Sequence, residues 1–491
     1  MLSSQPMPVL VFGASGYIGS HLVPYLRERQ VPVRAVSRHP DSLAGRGWEG
    51  VEFVAADALR PQTLDAALAG VEVAYYLVHS MAAGRHFADL DLQAAAHFRD
   101  AAARHGLRRI VYLGGLIPPD PESIHLQSRE ATGQVLRKSP VPVTEIRAGM
   151  IVGPGSAAFE VMRDLVYHLP VLPCPRWVES RSPPIGLDNL LAYLTGVAEL
   201  PEAADRILDV GGPETMTYAE LIRRFGRLVG KRPRIVPVPL LTPEFSAYGL
   251  PLVTTVPVNI ARALIGGLKH DVLADDRPIR ALLPIPLQDF EQQVRAVLAA
   301  ERRQTVVDRW RDGAFPCRAQ RADYAFYACR MHRRVRTRAS VDALWRTLST
   351  LGGPNGYGFL EGLWRVRGWL DRLLGGPGMS RPRPDPRHLR PGDRFDCWQV
   401  LALVPGERLT LRAELRAPGS GIMEFSVHDQ GDHRELEVAM YFHPAGVWGL
   451  LYWYILYGAH WLLLAGMPRR LAARAEALTD QTARSLSSAR P

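Results

Sequence analysis

Three groups of residues in this 491-residue chain have the types and spacing for chemistry. The first is Gly13-Ala-Ser15-Gly16-Tyr17-Ile18-Gly19, between an apolar run, Val9 to Phe12, and an amphipathic stretch that reaches about Arg29. Such a turn suits a dinucleotide pyrophosphate. Its first glycine permits the sharp bend, its second lets the backbone approach the phosphates, and its third lets the helix pack closely on the sheet. The helix start adds N–H groups and the positive end of a dipole. The second group, Ser37-Arg38-His39, ends the next strand, where an NAD site carries a carboxylate and an NADP site carries hydroxyl and arginine side chains. The first acid here is only Asp41, so NADP(H) is favoured over NAD(H). The third group is His125 and Arg129, one helical turn apart on one face. Arginine stays charged and donates several hydrogen bonds, and an imidazole titrates near neutral pH. Plainer readings stand beside these: Arg38 as the cap of an exposed turn, and His79-Ser80-Met81 as a loop rather than a neighbour of the nicotinamide.

The elements that must position these groups alternate in type. Strands are expected at Val33 to Ser37, Val51 to Ala56, Val71 to Val78, Arg109 to Leu113 and Val143 to Ala148. Helices are expected over Phe87 to His105 and Leu126 to Lys138. This order implies a doubly wound parallel sheet, an α/β Rossmann arrangement whose ligands sit at the carboxyl ends of the strands. Asp57-Ala58, Val78-His79 and Gly114 fall at such ends and join the candidate cofactor residues.

Length and composition set the frame. A chain of 491 residues exceeds one ordinary core, and two domains are expected. The net charge of +10 comes almost wholly from arginine, the lysines being Lys138, Lys231 and Lys269, and no zinc-finger spacing accompanies it, so nucleic acid is not the expected partner. The four cysteines are scattered without Cys-x-x-Cys pairing, which points to a reducing compartment and no metal site. The first eight residues lack the basic start and apolar run of a signal peptide. A cytoplasmic protein is expected, and nothing in the sequence sets an oligomeric state.

The glycine turn, Asp57, Gly114-Gly115 and Arg147-Ala-Gly-Met-Ile-Val-Gly-Pro154-Gly155 together resemble the short-chain dehydrogenase/reductase superfamily, nearest its atypical, extended members. The resemblance covers about residues 8 to 300 and implies a small substrate-binding portion from Gly153 onward. Pro184 to Asn189 then match a helix start, Asp205 to Pro213 a late strand and turn, and Tyr218 to Gly230 a late helix. That superfamily places a Ser or Thr after the fifth strand, then Tyr-x-x-x-Lys. This chain has Gly114-Gly115 in the first slot and His125-Leu-Gln-Ser-Arg129 in the second. The implied roles are ribose binding for Arg129 and proton transfer for His125. With the hydroxyl donor missing, two readings stay open: an altered working reductase, or a site that only binds the cofactor.

Near residue 300 the pattern changes. Between Arg302 and Arg338 there are 11 arginines against Asp308, Asp312 and Asp323, read as a solvated linker and strand face, with an anionic membrane or phosphate as the rival partner. Strands are expected over Tyr324 to Arg338, Phe395 to Leu403, Arg408 to Leu415, Gly421 to His428 and Arg434 to Phe442, with a capped helix at Ser340. A long apolar helix follows, and Ala445 to Met467 holds no Asp, Glu, Lys or Arg. Strands closed by such a helix resemble the START-like helix-grip fold, and Gly352-Gly353, Leu363-Trp-Arg365 and Leu451-Tyr-Trp-Tyr454 suggest a bacterial family that joins this α+β domain to an atypical reductase domain. That resemblance implies an apolar cavity and an apolar small-molecule ligand. The expected organisation is 1–300 for the NAD(P)-binding domain, 301–320 for a linker and 321–491 for the START-like domain.

The apolar stretch is read as a grip helix in preference to a bilayer span, with peripheral membrane contact between the two readings. The functional expectation is an NADP(H)-dependent oxidoreductase acting on a hydrophobic carbonyl or enone. The alternatives are a non-catalytic NADP(H)-dependent sensor or assembly factor, and a membrane-anchored scaffold.

Overall fold

The computed structural model describes residues 7–38, 48–79, 87–118, 123–238, 270–302, 328–379, 389–431 and 433–488, with isolated residues between these stretches. His39, Asp41, Ser80, Met81, Cys317, residues 303–320 of the linker expected at 301–320, and the opening of the strand expected from Tyr324 lie outside them. The chain divides into two compact units, Met1–Asp308 and Arg309–Pro491.

The first unit opens β1 (Val9–Phe12), α1 (Tyr17–Glu28), β2 (Val33–Ser37), β3 (Glu52–Ala55), α2 (Leu64–Leu68) and β4 (Val73–Tyr76). It continues α3 (Phe87–Arg104), β5 (Arg109–Gly115), α4 (Ile124–Arg137), β6 (Val143–Ala148), α5 (Ala157–His168), α6 (Leu187–Glu199) and β7 (Ile207–Val210), labelling only strands of the main sheet. After these come α7 (Tyr218–Leu228), α8 (Arg277–Leu282) and α9 (Phe290–Arg302). The seven strands form one parallel sheet in the order β7-β6-β5-β4-β1-β2-β3.

Strand periodicity explains both faces of this sheet. Val11, Ala35, Tyr75, Val111 and Ile146 point to one side, where α1 and α6 cover them. Leu10, Val36, Tyr76, Ile110 and Val143 point to the other, under α2, α3 and α4. On that second side the rings of Phe12, Tyr76 and Phe98 pack at centroid distances of 4.9 to 6.0 Å. A third core, built on Phe159, Met162, Phe225, Phe290 and Val294, ties α5, α7 and α9 together. Within it the fully buried Arg163 pairs with Glu301 at 2.7 Å and with Glu160, so burying that cation leaves no bare charge.

The second unit contains β8 (Cys329–Thr337), α10 (Val341–Ser349), α11 (Glu361–Leu373), β9 (Arg394–Phe395), β10 (Trp398–Val404), β11 (Arg408–Ala413), β12 (Gly419–Asp429), β13 (Arg434–Pro444), α12 (Gly446–Ile455) and α13 (Tyr457–Ser488). Its six strands are antiparallel, in the order β8-β13-β12-β11-β10-β9. Ser340 caps α10, its hydroxyl accepting from the Ala343 N–H at 3.2 Å. One face of the sheet packs against α13 through Leu463, Leu464, Met467, Leu471 and Ala475.

Two expectations need correction. Phe395 to Leu403 is not one strand: Asp396 adopts φ +45° and turns the chain between β9 and β10. Its carboxylate accepts from the Gly353 N–H at 2.8 Å and the Tyr357 hydroxyl at 2.7 Å, and these bonds hold the uncommon conformation in place. The apolar stretch from Ala445 is not one helix either. It is α12 and α13, bent by 52° at Leu456, and no single helix among the described residues is long and apolar enough to cross a membrane.

Candidate active site

The glycine turn joins β1 to α1. Gly13 has φ +97°, a conformation open to glycine and costly for other residues. A Cβ at Gly19 would overlap the Gly13 carbonyl and lie 2.8 Å from Ala14 Cα, so the third glycine lets the helix start press on the turn. One at Gly16 would lie 3.0 Å from the same carbonyl. No side chain caps α1 at Gly16, and a first helical turn has no intrahelical acceptors for its N–H groups. Ser15 is exposed above the turn, and Tyr17 and Ile18 are half-buried in the first turn of the helix. Bare backbone, open N–H groups and a helix dipole fit a pyrophosphate.

Around this cradle, Ser37 is buried at the end of β2 and Arg38 is exposed just after it. Asp57 follows β3 and organises its own loop, its carboxylate accepting from the Leu59 N–H at 3.0 Å while its own N–H donates to the Thr63 hydroxyl. Ala58 is buried, and Val78 is half-buried after β4.

On the other side of β1 the structure assembles a chain of polar groups from three elements. His79 follows β4, Asp91 lies in the second turn of α3, and His125 lies in the first turn of α4. His79 Nδ1 is 2.6 Å from Asp91 Oδ2, and His79 Nε2 is 2.9 Å from His125 Nδ1. Asp91 is almost fully buried and also accepts from the Ser128 hydroxyl at 3.1 Å. A carboxylate facing Nδ1 places a proton on that nitrogen, so the chain runs Asp91, His79, His125 and leaves His125 Nε2 at its end. Among the described residues no His, Cys, Asp and Glu cluster converges to hold a metal ion.

The electrostatics correct an expectation about His125. Its pKa is not near the ordinary imidazole value. Burial, then the neighbouring Arg129 charge, then His79, depress it to about 2. His79 is also lowered, chiefly by burial and by Arg129, with Asp91 acting in the opposite direction. Both rings are therefore neutral at pH 7, and any proton they exchange belongs to the pair.

Arg129 lies one turn after His125, half-buried, donating from Nη1 to the Leu113 carbonyl at 2.8 Å, and the backbone carbonyl of Arg129 accepts from the Tyr112 hydroxyl at 3.0 Å. The two glycines that end β5 look in opposite directions. A Cβ at Gly114 would face Glu145 Oε1 at 3.1 Å, the Tyr112 ring at 3.4 Å and Arg147 Cγ at 3.6 Å. One at Gly115 would lie 3.5 Å from Arg129 Cδ. The position next to the Arg129 and Leu126 side chains is thus Gly115. Arg147 holds the buried Glu145 at 2.7 Å, and Arg137 pairs with the same carboxylate, which gives both arginines a structural partner.

Sequence reasoning missed Asp91. The available signal was a carboxylate on the apolar face of α3, one helical turn before the buried stripe of Ala94, Phe98 and Ala101, where burial demands a partner.

Comparisons with known proteins divide along the two units. Residues 13–164 match the family described as NAD(P)H-binding, and residues 325–467 match a family described as a protein of unknown function, DUF2867. The NAD(P)H azoreductase of Xenophilus azovorans is 24% identical over 236 residues, 47% of this chain and 77% of that protein. Similar solved structures include the Citrobacter sp. triphenylmethane reductase complexed with NADP(H), 20% identical over 59% of this chain and 99% of that one, TM-score 0.48. Another is an NADPH-dependent quinone oxidoreductase from Escherichia coli, 18% identical over 59% of this chain and 99% of that one, TM-score 0.48. The first unit has a Rossmann-like parallel sheet and carries the NAD(P)H-binding match.

Proposed function

We propose that this protein is an NADP(H)-dependent reductase for a hydrophobic carbonyl or enone, with His125 as the proton-transfer residue. The supporting observation is the Asp91, His79, His125 chain at the carboxyl end of the sheet. The cofactor supplies a hydride when bound. The glycine cradle at Gly13, Gly16 and Gly19 holds its pyrophosphate, and Ser37 and Arg38 receive the 2′-phosphate. Asp57 and Ala58 border the adenine side, with Val78, His79 and Gly114 bordering the nicotinamide side. The guanidinium N–H groups of Arg129 not used on Leu113 hold the ribose.

In the donor state the histidine pair carries one extra proton. His79 is protonated on both nitrogens beside the Asp91 carboxylate, its Nε2–H donates to His125 Nδ1, and His125 Nε2–H faces the substrate oxygen. As that proton leaves His125, the His79 Nε2 proton moves to His125 Nδ1, and the pair ends neutral. The depressed pKa values make the neutral pair the resting state, so proton uptake from water precedes each reduction. The matched azoreductase accords with this reading. Steady-state NADPH oxidation against a panel of quinones, enones and azo compounds tests it: turnover of at least one, lost in His125→Phe with NADPH affinity retained, is the expected result. No hydride transfer to any of them sinks it.

The sensor reading has one observation in its favour: neither Gly114 nor Gly115 offers a hydroxyl to a developing oxyanion. For the second unit we infer a START-like helix-grip domain. An antiparallel sheet carrying a long helix supports it, as does a cavity of about 150 Å³ lined by Trp364, Met423, Phe442, Trp453 and Leu463. Its ligand is a small apolar molecule.

A further inference from the structure

Exposed large apolar side chains are concentrated in one place. Of 19 among the described residues, 13 lie within residues 363–374 and 448–462. On α11 only Trp364, Gly368 and Asp371 are buried, while Val366, Trp369 and Leu373 are 56 to 65% exposed. On α12, Trp448 is 73% exposed and Ile455 78%, and Trp461 at the start of α13 is 52% exposed. The two helices adjoin, since Arg367 on α11 reaches the Tyr452 hydroxyl on α12 at 3.4 Å. Together these segments carry most of the exposed large apolar side chains among the described residues, a concentration that marks an interaction surface.

Charge selects the occupant. Residues 446–467 carry no Asp, Glu, Lys or Arg. Exposed arginines stand around the face at Arg365, Arg372, Arg469 and Arg470, and none of these makes an ion pair among the described residues. The acids of α11 are consumed internally. Glu361 accepts from the Tyr357 and Gly358 N–H groups, and the buried Asp371 accepts from those of Gly378 and Arg416. A second copy seated symmetrically would bring four unpaired arginines against the same four. No single helix among the described residues spans a bilayer: the ten residues of α12 rise only about 15 Å before the 52° bend, about half a hydrocarbon core, and only α12 and α13 taken together reach the length and apolarity of a span. Tryptophan and tyrosine with arginines beside them suit the headgroup boundary.

We propose that the face formed by α11, α12 and the first turns of α13 docks peripherally on an anionic bilayer, its tryptophans and leucines at the acyl boundary and its arginines against lipid phosphates. Leu363, Tyr452 and Leu456 belong both to these segments and to the cavity wall, so docking sets that wall against the lipid. A ligand that partitions into membranes would reach the cavity without crossing water.

Flotation of the full chain with phosphatidylcholine vesicles, with and without phosphatidylglycerol, tests this at low and high salt. Binding to the anionic vesicles is expected, weakened by salt. The double variant Trp369→Glu, Trp448→Glu should lose at least about tenfold in binding, because both side chains are exposed and anchor the face. Its circular dichroism and NADPH titration should be unchanged. Arg469→Gln with Arg470→Gln should lower only the preference for anionic lipid. Quenching of tryptophan fluorescence by brominated lipid gives a second readout that the double variant should lose even if its yield is poor. The proposal is overturned by an absence of vesicle binding, by binding indifferent to the tryptophan substitutions, by a dimer that these substitutions dissociate without any vesicle binding, or by a carbonate-resistant membrane pellet.

Discussion

The cofactor cradle and the proton chain, side by side in the first unit, are built by opposite means. The cradle is backbone: seven consecutive residues whose essential property is the absence of side chains at Gly13, Gly16 and Gly19. The chain is side chains: one residue each from the end of β4, from α3 and from α4, brought within 2.9 Å across 46 positions of sequence. A backbone site tolerates no added atom. A side-chain site tolerates atoms but depends on burial, which sets both its hydrogen bonds and its protonation.

The sharpest way to break this contrast is at Gly19. A side chain there meets backbone that cannot swing away, so Gly19→Val is expected to weaken NADPH binding by more than about 100-fold, and titration calorimetry measures it. An unimpaired Gly19→Val protein would show that the cradle is not rigid.

Next in size is His125→Phe, which fills the same buried space without a nitrogen. Turnover should fall about 10²- to 10⁴-fold with NADPH affinity retained. The pH dependence carries a sign. Reduction needs the protonated pair, and its pKa lies below 6.5, so the wild-type rate should rise as pH falls below neutrality and show no plateau near pH 7. Stability runs the other way. The unfolded chain binds protons at its histidines near pH 6.5 while the folded chain refuses them, so the melting temperature should drop as pH falls below about 6.5, and less so in His125→Phe. A pH-independent rate, or an identical melting profile in the variant, would contradict the chain.

The same contrast explains what was legible beforehand. The parallel strands, α1, α3 and α4 were readable because apolar periodicity and turn glycines are local, and β6 came out at Val143–Ala148 as expected. His125 and Arg129 were readable as a helical pair for the same reason. Asp91 was not, because its partner His79 sits twelve positions away in sequence and on another element, and pairing of that kind is decided by tertiary packing. The pKa of His125 was not legible either, since depth of burial and a charge at Arg129 set it. In the second unit, alternation in β13 was plain, yet Asp396 broke a strand with a left-handed residue that only its bonds to Gly353 and Tyr357 explain.

Asp91→Asn asks whether the buried carboxylate acts on the proton or only on the fold. Shape is kept and charge is lost, so His79 takes up a proton less readily. Turnover is expected to fall on the order of 10²-fold, and the acid limb of the rate profile should move to lower pH. A purely structural role would lower protein yield or melting temperature and leave the profile where it was. Arg38→Glu probes the cradle's rim more gently. Replacing a cation by a carboxylate beside the 2′-phosphate should cost NADPH roughly 10- to 100-fold in affinity and leave NADH nearly unaffected, as calorimetry with both cofactors will show.

The smallest expected effect is a gain, and it sits where the two kinds of site meet. Gly114 and Gly115 end β5 with opposite outlooks, and Gly115 is the one toward Arg129. A Cβ there meets Arg129 Cδ at 3.5 Å, Leu126 Cδ2 at 3.6 Å and the Ala148 carbonyl at 4.0 Å, ordinary contact distances, and the residue needs no left-handed backbone. Gly115→Ser is therefore expected to fold as well as the wild type and to place a hydroxyl beside the helix that carries His125. A preorganised oxyanion donor is worth about 2.7–4 kcal/mol in enzymes shaped around it. An added hydroxyl with no neighbours arranged to aim it delivers a typical hydrogen bond instead, about 0.5–1.5 kcal/mol, or roughly 2- to 12-fold in turnover. Gly114→Ser is the matched control: its Cβ would sit 3.1 Å from Glu145 Oε1, a carboxylate already held by Arg137 and Arg147, so it should give no increase. Steady-state rates of the two variants on the same carbonyl substrate decide the matter. Equal rates would mean that the oxygen of the substrate does not lie between Gly115 and His125, and that the proton chain serves a different atom.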